Sequence, residues 1–220
     1  MTGDIMNISR LRMGTDGRGV STLVTLFGCP LRCAYCINDY CHESIDNHTN
    51  YETVRGAYSP GDLYARVLID DIYFKMTGGG IVFGGGEPLL QSGFIHQFCR
   101  LADPLWTIRI ETSLYSDREN MELILDDIDE WIVDIKDADP AVYRRYTGHD
   151  NSRVLRNLKV LLRRVPSEKI RVRVPHIPGF NTEADVRKTV SFLKETGITD
   201  IDEFEYIQTK PLPDRKNLPF

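Results

Sequence analysis

Cysteine, proline and long apolar runs are all scarce in this sequence. It has 5 cysteines and 11 prolines among 220 residues. No uninterrupted apolar stretch approaches the ~20 residues that span a bilayer, so no transmembrane helix is expected. The N-terminal Met1-Thr2-Gly3-Asp4 has neither the basic nor the apolar region of a secretory signal, and the expected location is cytoplasmic. Positive charge is not in excess either: Lys plus Arg total 27 against 32 for Asp plus Glu, a formal net charge of -5. That balance argues against bulk attraction to nucleic acid or an acidic membrane. No repeat, low-complexity tract or Pro/Gly/Ser-rich linker marks an internal boundary. A chain of this length buries roughly 70% of the surface its unfolded form exposes and needs no disulfides, so residues 1–220 are expected to form a single domain.

What is present is an alternation of short β-branched or aromatic runs with amphipathic ones. Strands are predicted over residues 21–27, 81–84, 106–112, 131–136, 169–177 and 203–208. Ser59-Pro60-Gly61-Asp62 opens a helix with a hydroxyl at the N-cap, proline at the first helical position and an acid in the first turn. Thr182-Glu183-Ala184-Asp185 is a capping box with Asp in place of the usual Glu or Gln, and Gly197 closes that helix. Residues 89–101, 117–128 and 151–164 fit helices less sharply. Alternating strands and helices imply βαβ units and a parallel sheet. Six strands do not complete an eight-stranded barrel, and periodicity fits both a doubly wound sheet and an open, partial barrel. Residues 38–59, polar and carrying His42 and His48, are the longest irregular stretch, the kind from which functional loops are drawn.

The cysteines are unevenly placed. Cys29, Cys33, Cys36 and Cys41 follow the first predicted strand within one short stretch, and Cys99 stands apart. Such clustering points to metal or redox chemistry before it points to disulfides. Soft thiolates suit an iron–sulfur cluster or zinc. Three ligands from Cys29, Cys33 and Cys36 would leave one metal position open for a substrate or cofactor, whereas a closed structural site takes four. The plainer alternative is a zinc loop that also uses Cys41, although structural zinc sites usually pair their cysteines in two separated couples. Cys99, near Phe94 and Phe98 on an amphipathic pattern, reads as a buried thiol. Farther along, Ile81-Val82-Phe83-Gly84-Gly85-Gly86-Glu87-Pro88-Leu89 runs a strand into glycines, an acid and a proline. Glycines there allow positive φ and close backbone approach, at the strand end where α/β proteins hold their sites. Taken alone, an ordinary strand-to-helix turn explains them better.

Together, Cys29-Pro30-Leu31-Arg32-Cys33-Ala34-Tyr35-Cys36 and Gly85-Gly86-Glu87-Pro88 resemble the cluster loop and the Gly-Gly-Glu-Pro motif of the radical S-adenosylmethionine (SAM) superfamily. Asp16-Gly17-Arg18-Gly19-Val20, Glu111-Thr112-Ser113, Asp134-Ile135-Lys136 and the run from Arg173 to Asn181 are similar to segments of the activating enzymes of glycyl radical enzymes, typified by the pyruvate formate-lyase activating enzyme. The resemblance covers residues 16–208. It implies an α/β fold, a partial, open (β/α)6 TIM-type barrel with parallel strands. It implies that Cys29, Cys33 and Cys36 hold one [4Fe-4S] cluster and that Tyr35 lies beside the adenine of SAM. Gly85, Gly86 and Glu87 would bind the methionine end, with contributions from Asp134 and Lys136. Glu111, Thr112 and Asp134 match positions that bind a monovalent cation beside the SAM carboxylate. Arg173 matches a basic residue reaching toward the site, and Asp16 a residue near the substrate peptide.

This chain departs from the family in four places. Arg18 and Ser21 stand where the family has proline and arginine, Gly84 where many members have serine or threonine, and Ile207-Gln208-Thr209-Lys210 occupies a region where a histidine is usual. Only Cys41 lies between Cys36 and Gly85, so auxiliary clusters are not expected. The resemblance implies reductive cleavage of SAM to a 5′-deoxyadenosyl radical and hydrogen abstraction from a glycine of a partner glycyl radical enzyme, with a flavodoxin- or ferredoxin-type electron donor. A radical SAM enzyme acting on another peptide or a small molecule is the alternative that the altered segment 16–21 motivates; a non-catalytic metal-binding module is the third. Plainer roles are expected for several other groups. Asp134 and Lys136 read equally well as a polar pair at a strand end, His176 as a packed strand residue, and Cys41-His42 as a non-ligating pair. The series Arg153, Arg156, Lys159, Arg163 and Arg164 reads as a solvated helix face.

Overall fold

The computed structural model describes residues 1–43 and 55–206. They fall into two compact units, one of Met1–Cys29, Tyr40–Thr112 and Ser116–Trp131, the other of Pro30–Asp39, Ser113–Tyr115 and Ile132–Phe220.

In the first unit, β1 (Gly3–Met13) pairs antiparallel with β2 (Val20–Leu26), and the short β3 (Gly56–Tyr58) pairs antiparallel with β1. After α1 (Pro60–Val67) and α2 (Asp71–Thr77), β4 (Gly80–Gly85) lies parallel to β2. Then come α3 (Ser92–Cys99), β5 (Thr107–Thr112), parallel to β4, and α4 (Arg118–Leu123). The strand order in this unit is β3-β1-β2-β4-β5. Ile81, Val82 and Phe83 are wholly buried in succession, as expected of a parallel strand covered on both faces. Phe98 of α3 packs edge-on against Phe83, ring centroids 5.4 Å apart. A buried ionic group ties the antiparallel edge to the helical layer. The carboxylate of Asp70, fully buried, accepts from Arg10 Nη2 at 2.6 Å on Oδ1 and from Arg10 Nε and Thr22 Oγ1 at 2.9 Å each on Oδ2.

The second unit holds the later part of β6 (Glu130–Asp134), followed by α5 (Pro140–Thr147), α6 (Ser152–Arg164), β7 (Ile170–His176), α7 (Glu183–Glu195) and β8 (Asp200–Glu205). Its strand order is β6-β7-β8, with β7 and β8 parallel. Along β7, Ile170, Val172 and Val174 are fully buried while Arg171 is exposed and Arg173 half-buried, the alternation of a strand with one covered face. Asn181 fastens the turn after β7: its Oδ1 accepts from Ile177 N at 2.6 Å and its Nδ2 donates to Pro175 O at 3.0 Å.

Every expected strand is present, and parallel pairing dominates an α/β arrangement. The last strand begins at Asp200 rather than 203, and residues 207 and 208 lie outside those described. Both capping boxes form. Ser59 Oγ accepts from Asp62 N and Thr182 Oγ1 from Asp185 N, and each acid reaches back to the cap nitrogen. β1, β3, α2 and α5 are additional. The predicted helix over 89–101 divides into a 3-10 turn at Pro88–Gln91 and α3, and that over 117–128 shortens to α4. Of the irregular stretch 38–59, residues 44–54, His48 among them, lie outside the described residues. Among the described residues no helix is long and apolar enough to cross a membrane.

Candidate functional site

The first unit presents the start of the cysteine loop against the glycine turn. Where β2 ends, Gly86 N donates to Leu26 O at 3.0 Å and Glu87 N to Gly28 O at 2.7 Å. Two distant motifs thus become hydrogen-bonded neighbours. A Cβ on Gly86 would stand 2.1 Å from Gly28 O, and Gly85 has φ +96°. These glycines are required by the approach of two backbones, a constraint independent of any ligand. Glu87 is fully buried; its Oε1 accepts from Thr112 Oγ1 at 2.6 Å and from Leu89 N at 3.2 Å. Its carboxylate therefore links β5 to the 3-10 turn. Gln91 adds a staple, donating from Nε2 to Phe27 O at 2.9 Å and accepting from Asp4 N at 2.8 Å. Glu111 comes close to Gly84, where a Cβ would meet its Oε2 at 3.3 Å, so glycine rather than serine or threonine leaves that carboxylate room. Asp16 is buried and paired with Arg12, whose Nη2 donates to Oδ1 at 2.9 Å. Cys29, half-buried, packs with the buried Cys41 in a patch that includes Met6 and Phe27, and Gly28 N donates to Cys41 O at 2.8 Å.

The second unit holds the rest of the loop. Arg32 N donates to Thr147 O and Ala34 N to Tyr146 O, both at 3.0 Å, so the last turn of α5 satisfies its otherwise open carbonyls by gripping the backbone on either side of Cys33. Cys36 N closes a turn onto Cys33 O at 3.1 Å. Tyr35 is buried among Tyr146, Ile177 and Phe180, with Cys33, Ala34 and Tyr206 packed around them. Its hydroxyl donates to Pro178 O at 3.3 Å, and its carbonyl accepts from the Tyr206 hydroxyl at 2.6 Å. Lys136, little exposed, donates to Asp134 Oδ2 at 2.9 Å and lies 6.0 Å from the Tyr206 ring centroid. Burial opposes the charge of Lys136, yet Asp134, then Tyr206 and Cys33, hold its ammonium above its ordinary pKa. Burial, and after it Cys33, likewise push the Tyr146 hydroxyl upward. Arg173 lies 3.9 Å from Asp202 on β8, and its carbonyl accepts from Ile135 N at 3.0 Å.

The expected site residues thus divide. Asp16, Cys29, Gly85, Gly86, Glu87, Glu111 and Thr112 belong to the first unit, and Cys33, Tyr35, Cys36, Asp134, Lys136 and Arg173 to the second. Sequence reading misses Tyr146, Phe180 and Tyr206, which surround Tyr35 and Cys33, because nothing local to their positions announces the loop they meet. It also misses Arg12, whose spacing of four from Asp16 was the available signal. Cys99 is half-buried, and burial pushes its thiol up to about 12, leaving it inert. His176 pairs with Glu205 at 2.8 Å. On α6, Arg156, Lys159, Arg163 and Arg164 are exposed, and Arg153 stacks over Tyr115 at 5.2 Å.

The donor set suits an iron–sulfur cluster. Cys29, Cys33 and Cys36 form no disulfide and are each half-buried, on a loop held by backbone hydrogen bonds near both ends, and thiolates are the ligands such clusters take. Among the described residues no group of three or more His, Cys, Asp or Glu is set to hold a single metal ion.

Comparison with known proteins agrees with this chemistry. Residues 23–193 match the model of the radical SAM superfamily. The isethionate sulfite-lyase activating enzyme of Nitratidesulfovibrio vulgaris is 26% identical over 253 aligned positions, covering 90% of this chain and 82% of the relative. The (2S)-3-sulfopropanediol dehydratase activating enzyme of Klebsiella oxytoca is 27% identical, covering 87% and 77%. Because 253 aligned positions exceed the 220 residues of this chain, the first relative carries internal residues that this chain lacks. In fold, Streptococcus suis SuiB bound to the precursor peptide SuiA superposes with a TM-score of 0.60 at 16% identity, over 84% of this chain and 39% of SuiB. A mainly parallel α/β fold, a thiol loop after β2 and a glycine turn after β4 thus meet a family model spanning most of the sequence, and the chain belongs to the radical SAM superfamily, enzymes whose chemistry uses a [4Fe-4S] cluster and SAM.

Proposed function

We propose that this chain is an activating enzyme that abstracts a hydrogen atom from a glycine of a partner glycyl radical enzyme, working as a single cytoplasmic radical SAM domain. When bound, the cluster and SAM would supply the electron and the 5′-deoxyadenosyl radical for that abstraction. Cys29, Cys33 and Cys36 would hold the cluster. The turn at Gly85, Gly86 and Glu87, together with Asp134 and Lys136, would receive the methionine end of SAM; Tyr35 would flank its adenine and Arg173 would add positive charge. Glu111, Thr112 and Asp134 would hold a monovalent cation beside the carboxylate. Asp16, ordered by Arg12, would stand near the substrate peptide, and a flavodoxin- or ferredoxin-type protein would deliver the electron.

The observation that carries this reading is the hydrogen bond from Glu87 N to Gly28 O, 2.7 Å long, which sets the glycine turn directly against the first cysteine of the loop. Support for the activating role comes from the two relatives, which serve different partner enzymes under the same description. The pairing of buried Asp16 with half-buried Arg12 favours one second reading, a radical SAM enzyme acting on another peptide or a small molecule, because an engaged carboxylate is less available to a partner's glycine loop. The test is anaerobic incubation of reconstituted protein with SAM, dithionite and candidate glycyl radical enzymes, followed by electron paramagnetic resonance. A glycine-centred doublet is expected. SAM cleavage without a doublet on any candidate would favour the second reading.

A further inference from the structure

We propose that Tyr146 is a hydrogen-bond donor kept for the sulfur of Cys33, and that this bond sets how readily a cluster held by the cysteine loop accepts an electron. The proposal rests on Cys33 being a cluster ligand.

The backbone makes the first part of the case. α5 holds the loop through Tyr146 O and Thr147 O, which accept from Ala34 N and Arg32 N at 3.0 Å each. Cys33 sits between these two anchored residues, so its position is set by the last turn of the helix that carries Tyr146. The side chain makes the second part. Tyr146 is 1% exposed, and its ring lies 5.1 Å from that of Phe180 and 6.3 Å from those of Tyr35 and Tyr206, in the same cluster against which Cys33 packs. Its hydroxyl is buried and makes no hydrogen bond among the described residues. Burying a hydroxyl with no partner is destabilising, and native interiors rarely retain one without a use.

The surroundings offer few acceptors. Phe180 has none in its side chain, and Lys136 is a donor engaged with Asp134 at 2.9 Å. Tyr206 is the one competing hydroxyl: its proton goes to Tyr35 O at 2.6 Å, while its oxygen stays free to accept from Tyr146, which makes Tyr206→Phe the deciding control. A neutral thiol accepts weakly. A metal-bound thiolate accepts well, so ligation of Cys33 would complete the bond. Hydrogen bonds to the sulfurs of a cluster are among the means by which a protein sets its potential. A donor stabilises the more negative, reduced state, and its loss makes reduction harder.

The test is a reductive titration of reconstituted protein, followed through the paramagnetic signal of the reduced cluster, in wild type and in Tyr146→Phe, Tyr206→Phe and Tyr143→Phe. Tyr146→Phe keeps the ring and should keep the wild-type iron and sulfide content. Its cluster should be about tenfold harder to reduce, ~59 mV lower for a one-electron couple. Tyr143→Phe, one helical turn earlier, and Tyr206→Phe should titrate as wild type. Placing 3,5-difluorotyrosine at position 146, which strengthens the donor without removing it, should shift the midpoint upward and covers the case in which Tyr146→Phe fails to retain iron. An unchanged midpoint in both position-146 proteins overturns the inference, as does an equal shift in Tyr206→Phe, which would give the hydroxyl to Tyr206 instead. Wild-type protein that binds no iron and sulfide would instead sink the reading of Cys33 as a ligand, a failure separable from an unmoved midpoint in a loaded protein.

Discussion

Gly86 carries a constraint finer than its motif suggests. With Gly28 O only 2.1 Å from the position of an added Cβ, Gly86→Ala must push apart the backbones that join the glycine turn to the cysteine loop. Overpacking of this kind typically costs about 1–3 kcal/mol. The variant should therefore unfold at lower urea than wild type and retain less iron after desalting; equal midpoint and iron content would show that the close approach has no bearing on the loop. At this scale the chemistry was legible and its setting was not. Cys29, Cys33, Cys36 and the turn at Gly85 to Glu87 stand out because each motif is local in sequence. The buried partners of those groups, Thr112 against Glu87 and Tyr146 against the loop, come from elsewhere in the chain. A one-dimensional pattern gives no hint that a hydroxyl far along it meets a particular carboxylate or thiol.

At the scale of the element, the helices with complete cap chemistry could be read directly. α1 and α7 begin where Ser59 and Thr182 indicate. α5, which the periodicity does not reveal, carries comparable signals: Asp139 at its cap, Pro140 at its first position and a left-handed Gly148 after it. β1 was hidden for a physical reason: register shifts between Ile5 and Asn7 and between Ser9 and Arg12, with Leu11 at φ 55°, break the period of two on which strand recognition depends. α2 leaves Ile69, Ile72 and Met76 exposed around it, so its sequence lacks a clean apolar face. The α7 cap yields a test with a defined pH dependence. Removing it with Thr182→Ala should cost ~1 kcal/mol at neutral pH. The hydroxyl of Thr182 and then its backbone N–H hold the Asp185 carboxyl below its ordinary value of 3.8. A carboxyl whose folded pKa is depressed contributes fully above the unfolded value, and the contribution disappears as pH falls through the folded one. The gap between variant and wild type in urea titrations should therefore narrow below about pH 4. A gap that stays constant would remove Asp185 from the cap's energetics.

At the scale of the whole molecule, β8 closes the strand order of the described residues with a row of acids. On its paired side, Asp200 and Glu205 lie 2.9 and 2.8 Å from Arg171 and His176 of β7. Among the described residues it stands last in the strand order. A strand with one unpaired side is a template on which a second chain can add a strand, and charged side chains are a common means of blocking that addition. Asp202, Glu203 and Glu205 are exposed along it, so two such edges brought together would set like charges opposite each other. On this argument the acids of β8 are expected to oppose edge-to-edge pairing, separately from the radical chemistry assigned to the loops. Replacing Asp202, Glu203 and Glu205 with their amides should leave the far-ultraviolet circular dichroism unchanged while light scattering rises at concentrations where wild type stays clear, and a variant that stays equally clear would assign solubility to another part of the surface.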